Sequence, residues 1–341
     1  MWQVENHTPF ATAGYFLRDR QGIEHWVVAM RATLDLRTGQ LPALAPVQVP
    51  VRLLPLYDPS GEELIEDTDF APFRPECDIL LYGEATPPPG ESVRCFPVTL
   101  SVGATGRRIY CHGPRRVTRT LFGHRIEYLG DAKPTSLSWR HATGGADSFP
   151  GRDPVSPHAS NPIGTGWTAD PKRMRRGDSL RLAPLDTRSE QDAGPGLNNI
   201  GAGFGAIGPA WQPRLAQIGT CDDLWARTRH PLPPEDFDDR FHQTAPAGQT
   251  AALRGGEAVH VENASRSGVI RFRIPQIISE TRTRIATRLL TSRMRFVSLI
   301  IHAGEQRASL VWNSSVPCPG QDMQVVQSTV LLTQYSGLAL T

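Results

Sequence analysis

Between residues 198 and 249 the chain reads NNIGAGFGAIGPAWQPRLAQIGTCDDLWARTRHPLPPEDFDDRFHQTAPAGQ, and no long helix or central strand can run through it. Glycine stands at 201, 203, 205, 208 and 219, and proline at 209, 213, 231, 233, 234 and 246. Proline removes the N–H that a helix interior or a sheet ladder needs, and glycine leaves the backbone too free to hold either. The same stretch carries Trp211, Trp225, Phe237 and Phe241, with an acidic knot of Glu235, Asp236, Asp238 and Asp239. A disordered linker lacks large aromatic side chains. The stretch is therefore predicted to be an ordered loop wrapped over a scaffold, burying its rings one at a time.

The scaffold is legible as strands. In residues 23–36, Trp26, Val28, Met30, Ala32, Leu34 and Leu36 share one face, while His25, Arg31, Thr33 and Asp35 share the other, as a half-buried strand requires. Residues 49–57 alternate less cleanly and hold Pro50 and Pro55, which predicts an edge strand. A short buried strand is expected around Ile79–Gly83, and a hairpin from 93–102 and 107–113 about Gly103-Ala104-Thr105-Gly106. Further strands are predicted at 124–129, 258–261, 269–274, 277–290, 294–301, 309–314 and 323–332. Only 222–229, capped by Thr220 or Asp222, and 234–243 read as helices. Many short strands and scarce helix make the fold class mainly β, packed antiparallel sheets arranged as one sandwich or two lobes. The texture divides into 1–135, 136–255 and 256–341, or into a single integrated domain.

Catalytic patterns are weak. Gly203 to Gly208 satisfies G-x-G-x-x-G, but a dinucleotide site needs a strand before it and a helix after it; Pro209 and Pro213 forbid that helix. These glycines are better explained by backbone passing close beneath Trp211 or another ring. The acidic knot could supply paired carboxylates for hydrolysis, but negative charge at the start of a short helix explains it as well, with Arg227, Arg229 and Arg240 at hand as partners. No H-E-x-x-H and no G-x-S-x-G occurs. No metal site and no cofactor is expected.

Charge excludes further classes. The 36 basic residues nearly cancel the 34 acidic ones, so no global field points to nucleic acid or an anionic membrane. Five cysteines, widely spaced and without a C-x-x-C pair, suit reduced and mostly buried thiols. No apolar run approaches the roughly 18 residues of a membrane helix, and the first residues do not form a secretion signal. A cytoplasmic protein is expected.

One further pattern is more specific. Gly203-Phe204-Gly205, Ile207, Trp211, Pro213-Arg214, Gly219-Thr220, Asp222, Trp225, Pro231, Pro233, Asp236-Phe237-Asp238, Arg240-Phe241, Ala245-Pro246 and Gln249 occur in an order and spacing that resemble a bacterial family encoded beside type VI secretion spike and effector genes. Asn6-x-Thr8-Pro9-Phe10, the 75–85 run and Asn161-Pro162-Ile163-Gly164-x-Gly166-Trp167 fit it too. The run Ser138 to Gly145 fits only at Trp139, Ala142, Gly144 and Gly145, Val117 stands where the family has Trp, and Asn313 where it often has Arg. The resemblance implies a non-enzymatic adaptor or chaperone that binds an effector or its PAAR-like domain and helps mount it on the VgrG spike. Trp167, Trp211, Arg214, Trp225 and Phe241, with Asp236, Asp238 and Arg240, are then the candidate contact residues. The alternative is a hydrolase on a β scaffold using the 235–239 carboxylates.

Overall fold

The computed structural model describes residues 2–151, 156–192 and 201–339; residues 198–200, the opening of the glycine stretch, lie outside the described residues. Strand Glu24–Asp35 runs twelve residues without glycine or proline. It pairs antiparallel with Arg307–Pro317 on one side and Ala11–Arg18 on the other. Beyond Arg307–Pro317 lie Arg295–His302, then Cys77–Tyr82 running parallel to it, then the short Thr250–Ala251. With Ala43–Leu44 added to Glu24–Asp35, these make a seven-stranded sheet.

Two other sheets share its core. A five-stranded antiparallel sheet holds the hairpin Cys95–Val102 and Thr105–His112, joined by a two-residue turn, with Ala258–Glu262 and Ile270–Arg273 beside it. A four-stranded sheet runs in the order Gln3–His7, Val325–Ser336, Gln276–Ile285, Arg288–Arg293. Trp26, Met30 and Leu34 pack in one apolar cluster with Leu100, Ile109 and Val261 of the second sheet and Ile277, Val325 and Val330 of the third. Two pairs of polar groups trapped between sheets meet: Trp26 Nε1 donates to Ser328 Oγ at 2.8 Å, and the Thr281 and Ser314 hydroxyls lie 2.7 Å apart. The fold is mainly β, with packed antiparallel sheets and no closed barrel among the described residues. Strands from 1–135 and from 256–341 lie side by side in all three of these sheets.

Several local expectations need correction. Strand Glu24–Asp35 is not half-buried but covered on both faces, with Val27, Ala29, Arg31 and Thr33 all at 0% exposure. The cover is the segment predicted as an edge strand, residues 49–57, together with the chain from there to Phe70. Pro50 and Pro55 keep the 49–57 segment out of a ladder, and only Leu56–Tyr57 pairs, with Leu64–Glu66. Side chains replace the missing ladder. Gln48 bonds both the N–H and the carbonyl of Thr33, at 2.8 and 2.9 Å, and Asp69 accepts from the Arg52 N–H at 2.8 Å. Val51 and Phe70 pack on Val27 and Ala29.

The predicted single strand at 277–290 is a hairpin of Gln276–Ile285 and Arg288–Arg293. Its turn uses Ala286 at φ 50° where glycine would be expected. Strand Arg115–Thr120, which period-two reading missed among its arginines and threonines, pairs with both Gly123–Tyr128 and Ser179–Arg181. Helix Asp223–Thr228 forms as expected, with the Asp222 carboxylate accepting from the Trp225 N–H at 2.8 Å. No α-helix forms at 234–243; the segment holds only the 3-10 turn Asp239–His242.

Arg31 shows what covering the second face entails. Its guanidinium meets Glu66 at 2.8 Å and Asp69 at 3.2 Å, and Glu66 also takes Arg52 at 3.0 Å. Burial alone would raise the Glu66 carboxyl, but the hydrogen bond from His302 and the charges of Arg31 and Arg52 hold it below the usual range. Removing one partner strands the others. Arg31→Met is expected to cost about 3–5 kcal/mol in urea unfolding. A loss below about 1 kcal/mol would show that water reaches the two carboxylates.

Candidate functional site

The glycine stretch closes a sheet edge. Cys77–Tyr82 pairs on its outer side only through Asp78 and Cys77, leaving donors further along that need acceptors. The Ile79 N–H donates to the Gln249 carbonyl at 2.8 Å and the Leu81 N–H to the Phe204 carbonyl at 3.3 Å. The Gln249 side-chain amide donates to the Ile79 and Phe204 carbonyls at 2.7 and 3.0 Å, tying strand and strip together. The strip lies this close because side chains are absent. A Cβ at Gly203 would come within 2.7 Å of the Trp139 ring, and one at Gly208 within 3.2 Å of Trp211. Trp139 is thus the main ring beneath the glycines; its Nε1 donates to the Gly205 carbonyl at 3.2 Å, and it meets Trp211 edge-on at 6.0 Å. Asn161, fully buried, donates to the Trp139 and Thr143 carbonyls at 2.9 and 3.1 Å and fixes the ring's backbone.

Two of the candidate contact residues lie inside. Trp211 and Arg214 are 5% and 4% exposed, and so underlie the surface without forming it. The Arg214 guanidinium reaches the Ile207 carbonyl at 2.7 Å, the Asp67 carboxylate at 2.9 Å and the Phe241 carbonyl at 3.0 Å, and it lies 5.0 Å from the centre of the Phe241 ring. It clamps three loops. Beside it, fully buried Asp78 accepts from the Thr244 and Ala245 N–H groups at 2.8 and 3.3 Å. His242 packs against Phe237 and Phe241, with ring centres 5.6 and 6.0 Å apart. Burial, and then the positive charges of Arg74 and Arg214, push its pKa down to about 4.

On this base stands an exposed module. Trp225 of helix Asp223–Thr228 donates from Nε1 to the Leu232 carbonyl at 2.8 Å, which folds the proline-rich segment under the helix. Asp236 accepts from the Thr220 N–H at 2.9 Å and from its hydroxyl at 2.8 Å. Gly219, at φ +88°, permits the approach: a Cβ there would lie 2.5 Å from the Asp236 carboxylate. Between helix and segment opens a cavity of about 330 Å³, lined by Asp222, Leu224, Trp225, Arg229, Glu235 and Asp236 among others. Leu224 is 63% exposed. The groove therefore has an apolar wall and a mainly acidic rim.

Of the predicted residues, Trp225 and Asp236 line this groove together. Asp238 caps the next turn at the Arg240 N–H, 2.9 Å, and pairs with the Arg240 guanidinium at 2.8 Å. Phe241 is half-buried beneath Arg214. Trp167 is half-buried against His158, ring centres 5.2 Å apart, and does not line the groove. Sequence reasoning did not single out Leu224. Hydrogen bonds from Thr220 hold Asp236 below its usual range and those from Arg240 do the same to Asp238, so neither is raised into a general acid. Among the described residues, no group of three His, Cys, Asp or Glu is placed to hold a metal ion, and no helix is long and apolar enough to cross a membrane.

Residues 21–313 match the family described as "Uncharacterized protein conserved in bacteria (DUF2169)". The chain belongs to that family. The matched span takes in the sheet edge, the glycine strip and the whole groove-bearing module. No curated protein and no solved structure matches the chain.

Two outcomes are expected. Gly203→Ala pushes a methyl group into Trp139 and costs about 1–3 kcal/mol of stability, whereas Gly304→Ala, with open space around it, stays within about 0.5 kcal/mol. Equal urea midpoints for the two variants would show that the strip is not pinned by the ring. For His242 the unfolded chain takes up a proton as pH falls below about 6.5, but the folded chain does so only near 4. Protonation thus favours the unfolded state, and stability declines from about pH 6.5 downward. His242→Phe is expected to flatten that decline between pH 7 and 5; an unchanged slope would contradict the assignment.

Proposed function

We propose that the chain is a non-enzymatic adaptor that binds a type VI secretion effector, or its PAAR-like domain, in the cytoplasm and promotes its loading onto the VgrG spike. The observation that carries this reading is the exposed groove of Leu224 and Trp225 with its rim of Asp222, Glu235 and Asp236, held on a module whose own polar groups are satisfied internally. An aromatic and an aliphatic wall exclude water from a partner's side chain, and a charged rim selects the partner and speeds encounter. The same segment carries the resemblance to proteins encoded beside spike and effector genes. The groove fits an apolar segment flanked by basic residues. Its modest size suits a contact that must be released when the spike takes the cargo.

The test uses Leu224→Asp, because the Leu224 side chain is largely exposed while Trp225 holds the loop through Leu232. The full-length variant, mixed with the effector or PAAR-like protein encoded beside the gene, is expected to bind it at least tenfold more weakly with an unchanged urea midpoint. Equal binding by the two proteins would remove the groove from the interface. Hydrolysis of a carbohydrate or peptide that Asp236→Asn abolishes without loss of folding would replace the adaptor reading altogether.

A further inference from the structure

We infer that the free edge of strand Arg288–Arg293 is a second docking site, which takes an extended acidic segment of a partner protein as an added strand. The strand is the last in its sheet; it pairs with Gln276–Ile285 on one side and has no paired strand on the other among the described residues. It contains neither proline nor glycine, and none of its six residues is buried. An edge of this kind offers a row of unpaired backbone N–H and C=O groups.

Charge identifies the occupant. Register places Arg284 opposite Leu289, Arg282 opposite Thr291, and Glu280 opposite Arg293 on the outer face. Arg282 is spent on Glu280, at 2.8 Å. Arg284 and Arg293 have no ion-pair partner among the described residues, and Leu289 on the same face is 61% exposed; Arg288, opposite buried Ile285, belongs to the other face. The far end of the strand opens into a groove of about 410 Å³, where Ser292 and Arg293 face Arg20 and Arg295. Of the carboxylates in that groove, Asp19 is held by His25 at 3.0 Å, which leaves Asp239 as the other negative group lining it among the described residues. A second copy of this chain would bring the same positive edge and be repelled. A strand with carboxylates at alternate positions places them all on the arginine face, with its apolar residues on the other face.

This site is independent of the groove at Trp225, and its test separates the two. The probe is a fluorescent eight-residue peptide of alternating Glu and Val, titrated into the full chain and read by anisotropy. The peptide is expected to bind, its Lys-Val counterpart not to bind, and Arg284→Glu/Arg293→Glu to weaken binding at least tenfold while leaving the thermal midpoint in place. N-methylation of alternate peptide nitrogens is expected to abolish binding in one of the two possible phases, because only one edge of the peptide faces the strand. Leu224→Asp should bind the peptide as well as the unaltered chain does. No binding of the acidic peptide, equal binding by the charge-reversed variant, or indifference to N-methylation in both phases would overturn the inference. So would a concentration-dependent dimer that the charge reversal disrupts.

Discussion

A β-strand buried on both faces still has two rows of backbone groups to satisfy, and the fate of those rows at Cys77–Tyr82 decides the rest of the molecule. One row pairs with Arg295–His302, but among the described residues only two of ordinary strand, Thr250–Ala251, pair with the other. The remaining acceptors come from Gln249 and Phe204, on segments more than forty residues apart. Glycine at 203 lets the strip reach the edge over Trp139, and Arg214 then ties the strip's end to Asp67 and to the carbonyl of Phe241. The exposed module of 219–240 is therefore an outgrowth of an edge seal. Its rigidity comes from beneath it.

The covering of strand Glu24–Asp35 obeys the same rule with different material. There a proline-bearing segment lies on the sheet face and supplies side-chain amides and carboxylates where a ladder would have supplied backbone groups. Both covers are irregular in conformation yet hydrogen-bonded to the strands they cover, which is why a mainly β protein can hold such long stretches without strand or helix.

How much of this was legible in the sequence depended on whether the signal was periodic. The strands around Glu24–Asp35, Cys77–Tyr82 and the Cys95–His112 hairpin were, because apolar side chains recur where the pleat needs them. Arg31 was misread because a charged residue on an alternating strand looks solvated; only distant Glu66 and Asp69 make its burial possible, and no local pattern announces them. The hairpin turn at Ala286 was missed for lack of a glycine, and Arg115–Thr120 for lack of apolar alternation. In the candidate site, the glycines correctly announced a close ring, but Trp139 lies more than sixty residues away and Trp211 was the nearer guess. Trp225 and Asp236, singled out by residue type, line the groove. Leu224 was not singled out, since its exposure depends on which face of a two-turn helix the proline segment covers.

The pairing of the first strands with the last has a consequence for synthesis. Glu24–Asp35 has its longest partner in Arg307–Pro317, and Gln3–His7 pairs with Val325–Ser336, so these sheets cannot assemble until nearly all of the chain has left the ribosome. Contacts this distant in sequence slow folding and leave the apolar Val27 to Leu34 run without its neighbour in the meantime. A protein proposed to help others onto their carrier is itself, while it is being made, in need of shelter.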